Sequence, residues 1–245
     1  MKYKRVLLKL SGGALAKDQG SGYNKEALDH ITDEIISAVN MGIEVAVLVG
    51  GGNIFRGKVS EEWGINRAEA DNIGMLATIM NSLMLRGALK HKGIKNDVRV
   101  MTAIPINTVA EPYIRLKAMR HLEKGKIVIF GGGIGQPYVT TDYPSVQRAI
   151  EIGADIVLMA KQGVDGIYTD NPSKNPDALR YKNITYGDVV KEKLEVADQS
   201  AFLLARDYDM PMYVFDFEEK DSIKRICEGE SIGTFVGKDV ITELY

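Results

Sequence analysis

Ile43-Glu44-Val45-Ala46-Val47-Leu48-Val49 runs without a break into Gly50-Gly51-Gly52-Asn53-Ile54-Phe55-Arg56-Gly57. The first seven residues are rich in β-branched side chains and nearly all apolar, the pattern of a strand covered on both sheet faces. Three glycines follow at once. Lacking Cβ atoms, they allow a sharp turn and let a ligand approach the backbone amides. Arg56 adds a planar fork of donors suited to phosphate oxygens. The stretch therefore reads as an anion site at the carboxyl end of a parallel strand, where open α/β sheets bind ligands. The plainer alternative is a glycine-rich turn followed by a surface arginine.

Two nucleotide-binding patterns are excluded. Gly52 to Lys58 spells G-x-x-x-x-G-K, but Val59 stands where a Walker A loop needs Ser or Thr. Gly131-Gly132-Gly133-Ile134-Gly135-Gln136 does not complete G-x-G-x-x-G.

Working back from the central strand, Asn24 to Asn40 carries Leu28, Ile31, Ile35, Ile36 and Val39 at helical spacing, with Asn24 as N-cap. Before it, Arg5-Val6-Leu7-Leu8-Lys9-Leu10 reads as a strand ending in Ser11-Gly12-Gly13. A lysine in an apolar strand is costly unless its ammonium finds an anion or reaches water. Lys9 is thus either a snorkelling residue on an edge strand or a cation aimed at phosphates beside the Ser-Gly-Gly amides. The strand–helix–strand unit places both glycine loops at one edge of a parallel sheet.

Working forward, Ala68 to His91 is a long helix with a stripe of Ile73, Leu76, Met80, Leu83 and Met84. Its methionines suit core filling, while so apolar a helix also suits contact with a second subunit. Asp71 reads as a cap or as a contact for ligand hydroxyls. Val98–Ile104 is a strand, Glu111–Glu123 a helix, and Ile127–Phe130 a buried strand emptying into the second glycine run. Further expectations are a helix over Ser145–Ile152, a strand over Asp155–Met159, one helix over Asp188–Tyr208 with Asp198 near its middle, and a strand over Met212–Phe217. A short helix over Ile223–Cys227 and a small strand at Thr234–Val236 complete the pattern. Strands alternating with helices, and no linker composition anywhere, predict one α/β domain over residues 1–245: a three-layer α/β/α sandwich with a mostly parallel central sheet.

With 31 basic against 33 acidic residues, no electrostatic footprint for nucleic acid or an anionic membrane exists, so phosphate recognition must be local. Cys227 is the single cysteine, which rules out an intrachain disulfide, and His30, His91 and His121 lack metal-ligand spacing. Lys9 interrupts what would be a short signal-like apolar run, and no stretch reaches membrane-spanning length. The expectation is a cytoplasmic protein.

Two glycine loops, a strand lysine and a loop arginine suit more phosphate than one small anion carries, and phosphoryl transfer needs mainly positioned phosphates and neutralising charge. The motifs Lys9-Leu10-Ser11-Gly12, Gly50 to Gly57, Asn66-Arg67 with Asp71 to Met75, Pro137-Tyr138 with Thr140-Thr141-Asp142, and Val164 to Tyr168 together resemble the bacterial-type UMP kinases of the amino acid kinase superfamily. The resemblance covers essentially the whole chain. It implies an amino acid kinase-like fold, transfer of the ATP γ-phosphoryl group to UMP in pyrimidine biosynthesis, and Mg²⁺ carried on the ATP phosphates. It implies catalytic roles for Lys9, Arg56, Asp142 and Asp198, the two aspartates orienting Lys9. ATP would lie against Lys9, Leu10, Ser11, Gly12, Gly52, Arg56, Gln162, Tyr168 and Asn171. UMP would lie against Gly51, Asp71, Ile134, Gly135, Gln136, Pro137, Tyr138, Val139, Thr140 and Thr141. A homohexamer built from dimers and control by nucleotides such as UTP or GTP are implied likewise. The chain departs from the family pattern at Gly13, Ile134, Asn171 and Ala197. Another kinase of the superfamily, acting on carbamate or a carboxylate, and a non-catalytic oxyanion-binding protein stay open on the residues alone.

Overall fold

The computed structural model of the protein describes residues 1–17, 20–57, 62–194 and 196–245. β1 (Arg5–Leu10), the short α1 (Gly13–Ala16), α2 (Lys25–Asn40) and β2 (Glu44–Val49) form the first unit. The two strands pair in parallel from Arg5↔Glu44 to Leu10↔Val49, so the glycine loops after them do emerge side by side. Asn24 caps α2 as expected, its side chain accepting from the Ala27 amide at 2.9 Å.

There follow α3 (Arg67–His91), β3 (Val98–Thr102), β4 (Glu111–Pro112), α4 (Arg115–Glu123), β5 (Ile127–Gly131), α5 (Asp142–Ile152) and β6 (Ile156–Lys161). The chain ends with β7 (Tyr181–Thr185), α6 (Tyr186–Lys191), α7 (Gln199–Asp207), β8 (Met212–Asp216), α8 (Ser222–Glu228), β9 (Thr234–Gly237) and β10 (Glu243–Leu244). Among the described residues the strands form one ten-stranded sheet in the order β10-β7-β9-β8-β6-β1-β2-β5-β3-β4. It is parallel except where β10 meets β7 and β8 meets β9.

Strand alternation explains the layers. Val6, Leu8, Val45 and Val47 face α2, α3 and α8 through Ile31, Ile35, Leu85 and Ile223. Leu7, Ala46, Leu48 and Val128 face α4, α5 and α7 through Leu122, Val146, Ala149 and Phe202. Each fully buried Val, Leu, Ile or Phe among them contributes roughly 1.5–3 kcal/mol, and the result is the expected α/β/α sandwich. Lys9 shares a face with Leu7, two residues earlier, so alternation aims it at the layer that contains α5.

β1 lies between β2 and β6, so the edge-strand reading of Lys9 is wrong. Asp188–Tyr208 is not one helix. α6 ends at Lys191, Lys193 takes a left-handed φ of 51°, and helix resumes at Gln199 with Asp198 in the N-cap position. Glu111–Pro112 pairs with β3, and helix begins only at Arg115. Residues preceding a proline are biased toward extended backbone, which favours the bridge over an early helix start. α5 begins three residues before the expected Ser145, since Pro144 is tolerated in a first turn. Core filling holds for Met75 but not for Met80 and Met84, which are exposed beside Ile73 and Leu76.

Candidate active site

The glycine loops meet backbone to backbone. Gly50 donates its amide to the Leu10 carbonyl at 2.8 Å. A Cβ on Gly12 would stand 2.4 Å from the Gly52 nitrogen, and one on Gly51 would stand 2.7 Å from the Gly74 carbonyl oxygen in α3. Only glycine permits this approach. A buried amide pair fixes it from behind: Asn81 donates to the Gly50 carbonyl at 2.6 Å and to Asn53 Oδ1 at 2.7 Å. Asn53 in turn donates to the Gly22 carbonyl at 2.8 Å. No sequence signal marks Asn81, because a polar residue within an apolar helical stripe gives no local sign of what it faces.

Lys9 is nearly buried, and its ammonium lies 2.5 Å from Asp142 Oδ1 at the start of α5. Burial pushes the Asp142 carboxyl up, but Lys9, then Lys161 and the Asp198 amide, outweigh it and hold the group below the usual carboxylate range. The Asp198 amide donates to Asp142 Oδ2 at 3.2 Å. The Asp198 carboxylate instead accepts from the Thr140 hydroxyl. Among the described residues no ion pair joins it to Lys9, so Asp198 touches Asp142 and Thr140 rather than the lysine, unlike the expected pair of carboxylates on Lys9. Thr140 Oγ1 also accepts the Asp142 amide at 3.2 Å.

Across the cleft, Asn66 caps α3, accepting from the Ala68 amide at 2.9 Å, which leaves Asp71 free of a capping role. Asp71 pairs with Arg67 at 3.0 Å and accepts the Tyr138 amide at 2.7 Å. It thereby ties α3 to the loop after β5. That loop turns through positive φ at Gly132, Gly133 and Gly135, and also at Tyr138, where φ is 68°. The Gly132 amide donates to Thr78 Oγ1 at 2.7 Å. Arg148 of α5 donates to the Gly133 carbonyl at 3.1 Å while pairing with Glu151 at 2.6 Å and stacking on the Tyr113 ring at 3.7 Å. Nothing in the sequence marks Arg148, whose role depends on a fold in which α4, α5 and the loop converge.

These walls enclose a cleft of about 760 Å³ that takes in Lys9, Ser11, Gly12, Gly51, Gly52, Arg56 and Asp71. Ile134, Gln136, Val139, Thr140 and Thr141 line it from the far side. Gly135, Pro137 and Tyr138 belong to the same loop without lining the cleft, and the Leu10 side chain is fully buried. Arg56 is folded back, donating to the Gly52 and Gly20 carbonyls at 3.0 and 3.1 Å. Lys58 and Val59, which decide against Walker A, lie outside the described residues. Tyr168 and Asn171 line a second cavity of about 510 Å³, and Gln162 a third of about 390 Å³. Tyr168 donates to Asp165 at 2.6 Å, while Asn171 accepts the Ser173 amide at 3.0 Å in a turn. The arrangement offers amides and cations to a phosphate chain from one side and a polar loop to a second ligand from the other.

The sequence pattern of the amino acid kinase family matches residues 4–216. The chain is 54% identical over 235 residues to a uridylate kinase of Frankia alni, covering 96% of this chain and 91% of that one. Its structure is similar to that of UMP kinase from Bacillus anthracis, with a TM-score of 0.97, 58% identity and 100% of each chain covered. UMP kinase from Ureaplasma parvum is also similar, with a TM-score of 0.90 and 32% identity over 97% of this chain and 100% of that one.

Proposed function

The chain belongs to the amino acid kinase family, and from that premise we infer that it transfers the γ-phosphoryl group of ATP to UMP, giving UDP and ADP. The observation that carries the reading is the buried Lys9–Asp142 pair at the joint of the two glycine loops, in a chain alike end to end to proteins named UMP kinase. An oxygen of the UMP phosphate attacks the γ-phosphorus, and the bond from that phosphorus to the β–γ bridging oxygen breaks as ADP leaves. The acceptor is already an anion, so no side chain need remove a proton. Lys9 and Arg56 neutralise charge on the transferring group. For Arg56 this means exchanging the Gly52 and Gly20 carbonyls for phosphate oxygens. Asp142 holds Lys9, and Asp198 holds Asp142.

ATP lies against Lys9 to Gly12, Gly52 and Arg56, and reaches toward Gln162, Tyr168 and Asn171. UMP lies against Gly51, Asp71 and the loop from Ile134 to Thr141, with Asp71 turned to the ribose hydroxyls. Mg²⁺ carried on the ATP phosphates would supply charge neutralisation there, with no protein carboxylate needed to hold it. The residues fit that arrangement, since the carboxylates beside Lys9 are already engaged, Asp142 by Lys9 and Asp198 by Thr140. The protein works as one domain in the cytoplasm, in pyrimidine nucleotide biosynthesis; no helix among the described residues is long and apolar enough to cross a membrane. Coupled ADP release with ATP and Mg²⁺ tests the reaction. Strong dependence on UMP over CMP, AMP, glutamate and carbamate is expected, and turnover on a carboxylate or carbamate but not on UMP would overturn it.

The same proposal extends to a homohexamer built from dimers. Ile73, Leu76, Met80 and Met84 are each 39–52% exposed and fall on one face of α3, an apolar stripe suited to a second copy. Light scattering should give six chains at micromolar concentration, and Met80→Glu should yield smaller species. A monomeric wild type would refute the assembly.

A further inference from the structure

Lys161 closes β6, the neighbour of β1, and Met159 stands opposite Lys9 in the parallel register. Two residues on, Lys161 falls on the same sheet face as Lys9, beyond it at the ligand edge. Its ammonium donates to the Val196 carbonyl, and among the described residues it has no carboxylate at ion-pair distance. Lys9, by contrast, has Asp142. An ammonium carries three donors, and one neutral carbonyl compensates a half-buried cation poorly. Burial and then the Lys9 charge push the Lys161 amine down, with Asp142 opposing them in part. The free protein therefore holds a cation that an anion would relieve.

Lys161 also lines both smaller cavities. In one it is joined by Tyr168 and Asn171, in the other by Gln162. Every position assigned to the far part of the donor thus flanks it, while the phosphate-facing glycine loops lie on its other side. We propose that the Lys161 ammonium is a binding group for the phosphate chain of the donor nucleotide, parked on the Val196 carbonyl until that nucleotide enters. The proposal rests on the kinase reading and adds a third cation to Lys9 and Arg56.

The competing role is a pin that merely holds the segment before α7 in place. Calorimetry of adenosine, ADP and ATP with wild type, Lys161→Met and Lys161→Arg separates the two, with thermal unfolding of each variant as a check on folding. Lys161→Met should weaken ADP and ATP about tenfold or more and leave adenosine nearly unchanged, because only the phosphates lose a charge-assisted bond. Lys161→Arg should recover much of the loss. In steady state KM for ATP should rise while KM for UMP holds. Equal weakening of adenosine and ATP would make Lys161 a pin and overturn the proposal. Unchanged ATP affinity with normal UMP turnover would overturn it too, while leaving the kinase reading intact. A wild type that binds neither ADP nor ATP would overturn both.

Discussion

Replacing Lys9 with methionine is expected to lower turnover by about 10²–10³-fold, the usual loss when one preorganised charge is taken from a developing anion. Methionine keeps most of the methylene packing of a side chain that is only 7% exposed, so the change isolates the charge. The substitution should also destabilise the fold, because Asp142 is left buried with only the Asp198 amide and the more distant Lys161 to favour its ionised form. Losing one partner of a buried pair costs about 3–5 kcal/mol.

The pH dependence gives a second handle. In the wild type the Asp142 carboxyl is depressed, so its contribution is present above the unfolded aspartate pKa and is lost as pH falls through the lower folded value. Without Lys9, burial becomes the dominant influence and pushes the folded value above the unfolded one. The sign then reverses: the deficit of Lys9→Met grows as pH rises toward neutrality and shrinks in acid. Adding Asp142→Asn should restore stability at neutral pH without restoring turnover. Urea unfolding at pH 5 and pH 8, beside steady-state rates, measures all of this. Near-normal turnover in Lys9→Met would reduce the lysine to a structural residue.

Lys9 was visible before any fold was known, because a charge inside an apolar strand followed by glycines has few explanations. Its partner was not visible on the same grounds. Asp142 lies 133 positions away (142 less 9) at the start of a helix, and only the family resemblance linked the two. Continuous apolar runs with glycines after them mark β1, β2 and β5 in the sequence, and their alternation with helical patterns marks the three-layer sandwich, since those signals are local and strong. The break between α6 and α7 was hidden because the apolar periodicity continues across it. What decides the break is tertiary: Asp198 is held on Asp142 and Thr140, which a continuous helix would not allow. Lys161 carries no sequence signal for a related reason. The run of large apolar side chains stops at Met159, whereas the strand extends to Lys161 through pairing with Asp216 of β8.

Gly12→Ala is expected to be strongly damaging to both fold and turnover, and the neighbouring Gly13→Ala mild. The backbone at Gly12 has φ −59° and ψ −34°, which alanine adopts without strain. Its cost is therefore one of space. The new methyl would lie 2.4 Å from the Gly52 nitrogen, 2.8 Å from Asn53 Oδ1 and 2.9 Å from the Asn53 nitrogen. None of these can retreat freely, because Asn53 is bonded to Asn81 and Gly22, and Asn81 to the Gly50 carbonyl. Relief must come from parting the two loops. That should cost about 1–3 kcal/mol of stability, as overpacking does, and about 10²-fold or more in kcat/KM, as a 1 Å misplacement of a phosphate cradle does. At Gly13 a methyl would meet nothing nearer than Ser11 Oγ at 3.7 Å, and Gly13 opens the short α1, where alanine fits the helical backbone without strain. Thermal unfolding and steady-state kinetics of the two variants side by side make the comparison. If Gly12→Ala behaved like Gly13→Ala, the loops would not be locked against each other, and the amide network behind them would not be what sets the phosphate site.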